Sequence, residues 1–517
     1  MTAKILCAAL HGVHAFQVDL ETDLHKGGMP SFSMVGLVEG AVRESRERVF
    51  AALRNSGYKL PLARITVNLA PADRRKEGSA YDLPLAMGLL AAAGILPGEA
   101  LNNFLFAGEL SLTGELNPVP GILPTTILAR EIHCSGIFVP EANADEAVVV
   151  TGISVYPVRH ITDVVAHFAG ERQILPATAA APPQAATQFL FDFAEVKGQE
   201  HAKRAIEIAA SGGHNLLFVG PPGSGKTMLA QRIPGILPPL SFEESLEASS
   251  IYSVANLLET HGEKGLMRRR PFRAPHHTIS NIGLVGGGVK PRPGEVSLAH
   301  RGVLFLDELP EFNKQALETL RQPMEDGIIT ISRAAGSLSY PADFMLVASM
   351  NPCPCGFLTD SRKQCTCMAK DIQRYRAKLS GPLLDRIDLH IEVPAVPYED
   401  LSASHKAESS EKMAKRITAT RNMQAERYAA FSGTSHGAYC RTNADLAGDM
   451  FETFCKLDAD GAKFMRQAME TLALSARAYT RILRIARTIA DMEQEAGIQM
   501  PHLAEAINCR FLDRQSL

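Results

Sequence analysis

Cysteine is scarce in this chain, with 9 in 517 residues, yet four of them crowd into one stretch, NPCPCGFLTDSRKQCTC, residues 351–367. So sparing a use, in a chain that reads as cytoplasmic, argues against structural disulfides and leaves thiols, metal ligands or redox groups. Long hydrophobic runs are missing as well. The best candidate, YDLPLAMGLLAAAGILPG, is interrupted by Asp82, Pro84 and Pro97. It predicts one buried helix and no membrane span. The opening MTAKILCAALHGVHAF lacks a sustained apolar core and a small-residue cleavage site, so no secretory signal is expected. Charge of one sign is not in excess either. The formal net charge is −3, so nucleic-acid binding would have to come from local basic clusters. No internal repeat is visible. What remains, 46% hydrophobic and 21% charged residues, is ordinary for a soluble globular protein with large cores. The length suggests about three domains.

Composition shifts place the cuts. ERQILPATAAAPPQAATQ is rich in Ala and Pro without apolar period and reads as a linker over 171–188. A second soft stretch, SASHKAESSEKMAK, follows Leu401. The expected organisation is an α/β segment over 1–170, a central α/β segment over 189–398 and a helical segment over 399–517. In the centre, NLLFVG, GVLFLDEL, FMLVASMN and LHIEVP each predict a buried strand of a parallel sheet. NKQALETLRQPMEDG predicts a helix between two of them.

GPPGSGKT supplies the phosphate-binding pattern: Gly220, Pro221, Pro222, Gly223, Ser224, Gly225, Lys226 and Thr227. It follows a strand-like run and precedes a helical one, the context this motif needs. The glycines let peptide N–H groups turn around phosphate oxygens, and the helix N-terminus adds a favourable dipole. Lys226 is expected to reach the β- and γ-phosphates of ATP, and Thr227 to hold magnesium. In GVLFLDE, four apolar strand residues end in two acids. Asp307 is expected in the magnesium shell, and Glu308 is expected to orient or deprotonate the attacking water. Asn351 ends the next strand, placed to polarise that water. In GPLLDRIDL, Arg386 precedes a strand and cannot easily fold back onto its own γ-phosphate. It reads as an arginine finger acting in trans, which implies a ring. A local salt bridge to Asp385 or Asp388 is the plainer alternative. In SARAYTRILRIARTIADM, Ile482, Ile485, Ala486 and Ile489 form the apolar stripe. Arg477, Arg481 and Arg484 lie on another face; Arg477 is the one we expect at the phosphates, against a solvated basic face as the alternative.

The order of these motifs resembles AAA+ ATPases. More closely, VGLVEGAVRESRERVFAAL, RITVNLAPADRRKEGSAYDLPLA, FRAPHHTIS, RPGEVSLAHRGVLFLDELPEF, NPCPCG and SGPLLDRIDLHIEVP resemble the magnesium-chelatase-like branch, and within it the ComM (YifB-like) family. The resemblance spans nearly the whole chain. It implies an AAA+ P-loop ATPase core with a helical lid, working as a homo-hexamer that drives branch migration of DNA, single-stranded and branched, during natural transformation. The same branch is similar to MCM helicases in carrying two insertions that point into the ring pore. Here these are RRRPFRAPHH with GGGVKPRPG, and the hairpin-like GIITISRAAGSLSYPADF. Arg268, Arg269, Arg270, Arg273, Lys290, Arg292 and Arg333 are the expected DNA contacts. A few basic residues per subunit, repeated around a ring, make a strong phosphate channel in an acidic chain. His276 and His277 are expected to serve loop packing or hydrogen bonding more than metal binding.

The first segment resembles the proteolytic domain of Lon. KEGSAYDLPLA is similar to the stretch that bears Lon's serine, and TGELNPVPGILP to the one that bears its lysine. A Ser–Lys dyad needs the lysine as base. Leu123, or Pro124 with a slipped register, stands in its place, and Ser79 fits the serine position only with a gap. A non-catalytic Lon-like α/β domain is expected. The rival functions are an ATP-dependent protease, a chelatase-type or protein-remodelling ATPase, and a non-enzymatic scaffold on a dead nucleotide fold, against which intact Lys226, Asp307, Glu308 and Arg386 argue. For the chelatase type, DLSAS from Asp400 matches a chelatase metal motif by letter but opens a soft stretch. Finally, Cys353, Cys355, Cys365 and Cys367 can close on one tetrahedral zinc as a knuckle, with free or redox-active thiols as the alternative.

Overall fold

The computed structural model describes residues 2–26, 29–37, 40–178, 191–258, 265–288, 291–333, 336–360, 362–402, 407–431 and 440–514. Lys290 and most of the linker, 179–188, therefore lie outside the described residues. Among the described residues no helix is long and apolar enough to cross a membrane.

The N-terminal part is built on a seven-stranded mixed sheet. Its strands are β1 (Thr2–His11), β2 (His14–His25), β3 (Ser31–Val35), β4 (Arg64–Ala70), β5 (Phe104–Phe106), β6 (Gly136–Pro140) and β7 (Ser154–Val158), in the order β3-β4-β2-β1-β5-β6-β7. Alternate residues of β1, Ile5, Cys7 and Ala9, are buried. That period-2 pattern fits a strand with one covered face. Helix α1 (Gly40–Asn55) and helix α2 (Asp82–Ala92) pack beside each other, and α2 lies on β1 and β2. The run that lacked membrane-span length is this second helix, buried along its whole length. Gly88 permits the approach to the sheet, because a Cβ there would stand 2.6 Å from Thr22 Oγ1. Buried Asp82 is satisfied by Arg48 at 2.7 and 3.0 Å and by the Leu110 N–H at 3.1 Å. Residues after 170 stay tied to this part, since the Ala177 N–H donates to Val155 O.

The central sheet is five-stranded and wholly parallel. It comprises β8 (Leu216–Val219), β9 (Phe272–Arg273), β10 (Val303–Leu306), β11 (Met345–Met350) and β12 (Leu389–Glu392), in the order β9-β10-β11-β8-β12. All four expected strands are present and buried. The edge strand β9 was not expected, because two residues carry no periodic signal. The expected helix over NKQALETLRQPMEDG is split into Lys314–Thr319 and Pro323–Asp326. Pro323 has no N–H to continue the first helix and instead opens the second.

Both expected insertions contain antiparallel ladders. Gly286–Gly287 pairs with Arg292–Pro293, and Ile328–Arg333 pairs with Gly336–Pro341. The C-terminal part is helical. The soft stretch after Leu401 turns into a helix sooner than expected, at Ser410–Ala429. Its buried stripe, Met413, Ile417, Thr420, Gln424 and Tyr428, has helical spacing but is partly polar. The stripe on Ala476–Met492 is buried as expected, and Ile482, Ile485 and Ile489 join Leu216, Phe218 and Val303 in one cluster. These helices therefore share a core with one face of the central sheet.

The N-terminal part docks on the other face. Helix α3 (Ile122–Glu131) packs on Phe242–Ala255, with the Gly121 N–H donating to Ser253 O at 3.1 Å. Val13, in the turn between β1 and β2, is buried and belongs to the same core cluster as Leu217 and Leu304. Gly12 beside it lies so close to the hairpin that a Cβ would stand 2.9 Å from Ser339 O.

Candidate functional site

The C-terminal ends of parallel strands are where an open α/β sheet binds ligands. The strand order puts β8 between β11 and β12, with β10 one strand further. Hence the loops after β8, β10 and β11 converge.

After β8 the backbone turns through Gly220–Gly225. Gly223 and Gly225 have φ of +76° and +89°, and at Gly220 a Cβ would stand 2.1 Å from Val393 O. Helix Lys226–Ile236 starts at the lysine. Lys226 Nζ donates to Gly220 O at 2.8 Å, to Pro221 O at 2.9 Å and to Asn351 Oδ1 at 3.4 Å. Burial lowers its pKa to about 8, against the opposing pull of Asp307 and Glu308. All three acceptors are neutral, so a phosphate group fits this ammonium by charge. Thr227 Oγ1 donates to Asp307 Oδ2 at 2.9 Å, which brings two hard oxygen ligands together as magnesium requires. Gln199 braces the turn from behind: its Nε2 donates to Ser224 O, and to Pro394 O at 3.3 Å.

Glu308 occupies the left-handed region, φ +54° and ψ +49°, which a non-glycine residue adopts at a cost. Its N–H donates to Asp307 Oδ1 at 3.1 Å and to Ser349 Oγ at 3.4 Å. Ser349 Oγ in turn donates to Asp307 Oδ1. The Glu308 carboxylate lies 3.3 Å from His277 Nδ1, and the rings of His276 and His277 are 4.1 Å apart. The histidines thus do take part in hydrogen bonding and packing, one of them at the acid itself.

Arg386 is buried, and its guanidinium donates to Pro382 O at 2.7 Å and to Glu325. The local partner is therefore Glu325, and neither Asp385 nor Asp388 holds it. Asp385 is taken by Arg477, at 3.0 Å, and Arg477 is largely exposed. Of the three arginines on that helix, Arg481 points inward, to buried Asp388 at 2.5 Å. Arg484 donates to Leu446 O.

The four cysteines come together. Cys353 Sγ lies 3.4 Å from Cys355 Sγ and 3.7 Å from Cys365 Sγ, and the Cys355–Cys365 distance is 3.6 Å. All four ligand atoms lie within 4.8 Å of one another. A tetrahedral zinc with bonds of about 2.3 Å needs sulfurs about 3.8 Å apart, so the set fits that metal. Without a metal the thiols diverge: the peptide N–H groups of Phe357 and Thr366 hold Cys355 down at about 6, whereas burial pushes Cys353 up and Cys367 is pushed up to about 12.

The basic residues divide. Arg268, Arg269 and Arg292 are exposed. Arg270 is spent internally on Pro238 O, Arg301 O and Glu244, and Arg273 makes a two-pronged pair with Glu295 at 2.6 and 2.7 Å. Neither of these two presents a free guanidinium to a ligand. Arg333 is the last residue of its strand, next to the hairpin tip, and the Lys290 expectation falls outside the described residues. In the N-terminal part Leu123 is wholly buried, its N–H directed at Ser253 Oγ 3.4 Å away. Asp400 sits on a short helix, Tyr398–Ser402, and not at the end of a buried strand.

Sequence reasoning missed Ser349, Gln199, Glu325 and the His277–Glu308 pair. Strand alternation could have found Ser349, which lies two residues before Asn351 on the same face.

The chain matches three family models in order. Residues 192–401 match Magnesium chelatase, subunit ChlI; residues 20–143 match Subunit ChlI of Mg-chelatase; residues 407–510 match Magnesium chelatase, subunit ChlI C-terminal. It is 44% identical to Competence protein ComM of Haemophilus influenzae over 518 residues, covering 99% of this chain and 98% of that protein. It is 44% identical to protein YifB of Escherichia coli over 507 residues, covering 97% and 96%. The magnesium-chelatase subunit ChlI of Guillardia theta is 23% identical over 245 residues, 43% of this chain and 63% of that one. Similarity of this extent, from end to end, shows that the chain belongs to the ComM/YifB-like family of magnesium-chelatase-like AAA+ proteins.

Proposed function

We propose that this chain is an ATP-driven motor that assembles as a homo-hexamer and migrates branched DNA. The observation that carries the reading is the convergence of Lys226, Thr227, Asp307, Glu308 and Asn351 at the ends of three adjacent strands. Family membership supports ATP hydrolysis, and the name of the Haemophilus relative supports a role in competence. Lys226 and the peptide N–H groups of Gly220–Gly225 bind the β- and γ-phosphates. Magnesium, held by Thr227 and Asp307, would neutralise phosphate charge there. Glu308 orients the water and takes its proton, and Asn351 polarises it. Arg386, released from Glu325, reaches the neighbouring subunit's nucleotide, and Arg477 contacts phosphates after leaving Asp385.

The DNA-facing set is Arg268, Arg269, Arg292 and Arg333 on the two insertions, with Lys290 between them in sequence. Residues 1–170 are a non-catalytic Lon-like domain, 189–398 the ATPase domain and 399–517 its lid; a fully buried Leu123 supports the loss of a Lon-like base. The four cysteines hold a zinc ion. The protein acts in the cytoplasm.

Branch migration of a synthetic three-strand junction with ATP tests the motor. The wild-type chain should resolve the junction and Lys226→Ala should not. No movement, together with an ATPase rate indifferent to DNA, would shift the reading to a chelatase-type or protein-remodelling machine.

A further inference from the structure

The cysteine loop touches the phosphate loop. Gly356, three residues after Cys353, is buried with φ +85°. A Cβ built on it would stand 2.5 Å from Pro222 Cδ and 2.8 Å from Pro222 Cγ. Its N–H donates to Cys353 O at 3.0 Å, which closes the turn against that proline. Cys353 is fully buried and lies two residues after Asn351, whose side chain accepts from Lys226. One short segment thus carries an expected metal ligand, a wall of the phosphate loop and a partner of its lysine.

Beyond sulfur, the segment is tied by Lys363 Nζ over the Phe357 ring at 4.9 Å and by Asp360, which accepts from the Arg362 N–H at 2.8 Å. Between Met350 and Ala369 there is no helix or strand among the described residues. Sulfur supplies further ties across the loop: the Cys355 N–H points at Cys367 Sγ at 3.3 Å, and the Cys367 N–H at Cys365 Sγ at 3.5 Å. Four thiolates around a divalent ion leave a charge of −2, which these N–H dipoles would offset. Binding releases the thiol protons to solvent, and it fixes a loop that has no core of its own.

We propose that the metal at Cys353, Cys355, Cys365 and Cys367 sets the position of the phosphate loop through the Gly356–Pro222 contact, so that metal occupancy controls nucleotide affinity. The proposal rests on the reading of these cysteines as a zinc site. When the metal is lost, the turn at Gly356 relaxes, Pro222 loses its wall and the cradle for the phosphates opens. ATP affinity then tracks zinc supply and thiol oxidation without any change at Lys226, Thr227 or Asp307.

The test uses the full chain. Zinc and free thiols are counted in the purified protein, and cobalt is exchanged in to look for thiolate charge-transfer absorption. Binding of a fluorescent ATP analogue with magnesium is then measured before zinc stripping, after it with the chelator removed, and after zinc is restored. A zinc-loaded Gly356→Ala variant, with all four cysteines intact, is measured beside them. We expect one zinc per chain, nucleotide binding about tenfold weaker or worse after stripping, recovery with zinc, and a comparable loss in Gly356→Ala. Zinc present, with affinity unchanged on stripping and in Gly356→Ala, would overturn the coupling and leave the zinc site standing. No bound zinc with four titratable thiols would overturn the zinc reading, and the coupling with it.

Discussion

Ser349 joins the two acids of the site. Its hydroxyl donates to Asp307 and accepts from the Glu308 N–H, whose residue holds a left-handed backbone. Glu308 is held at its other end by His277. Ser349→Ala removes one charged hydrogen bond, a contribution of about 1.5–3 kcal/mol. If the hydroxyl keeps Glu308 aimed through its N–H, kcat should fall at least about tenfold. Nucleotide affinity measured without magnesium should stay within about twofold, because Lys226 and the phosphate loop are untouched and the lost charged bond is to Asp307. Single-turnover hydrolysis alongside equilibrium nucleotide binding separates the two. A fall in affinity at constant kcat would remove Ser349 from this role. Glu308→Gln should bind ATP and fail to turn it over, and trapping of unhydrolysed ATP by that variant is the measurement.

At the scale of elements, helix Ile122–Glu131 is wedged between the N-terminal sheet and helix Phe242–Ala255. Leu123 faces into that wedge without exposure. Leu123→Lys, which puts a lysine where the proposed likeness to Lon has its base, should cost about 3 kcal/mol or more by burying an unpaired ammonium. A drop in thermal midpoint with no gain of casein hydrolysis is the expected result. The elements themselves differ in how far the residues announce them. Continuous apolar runs gave away four central strands, and the spacing of Ile482, Ile485 and Ile489 gave away the C-terminal helix. The helix at Ser410–Ala429 was obscured because two of its buried positions, Thr420 and Gln424, are polar and satisfied by hydrogen bonds. The phosphate loop and its acids were readable because their chemistry fixes residue type and spacing. The His277–Glu308 pair was not, since it joins a loop to a strand end through folding alone. Likewise nothing local reveals that Arg270 and Arg273 face Glu244 and Glu295 instead of solvent.

Across the whole molecule, the C-terminal helices are fastened to the central sheet by charge as well as by apolar packing. Arg481 reaches from the helix to Asp388 at the base of β12, which also accepts from the Asn215 N–H at 2.9 Å. Burial alone would raise the Asp388 pKa; Arg481, His214 and that N–H overcome it and hold the carboxyl far below its usual range. A depressed pKa stabilises the fold above the unfolded value of about 3.9, and that contribution is lost as pH falls towards the folded value. Asp388→Asn should therefore lower stability by about 3 kcal/mol at neutral pH, by leaving Arg481 without its partner. The gap to wild type should narrow below about pH 4. Denaturant titrations of both proteins from pH 7 to pH 3 would decide it; a constant gap would place the Asp388 contribution elsewhere.

The turn at Gly12 and Val13 has a mechanical meaning. The hairpin of Ile328–Arg333 and Gly336–Pro341 does not swing freely from the ATPase sheet, because the N-terminal sheet leans on its returning strand at Ser339. If that hairpin moves, it must carry the front third of the chain along as ballast or shear a packed contact. Cutting away that third would also uncover the core residues clustered with Val13, so the remainder by itself should be less stable than the full chain.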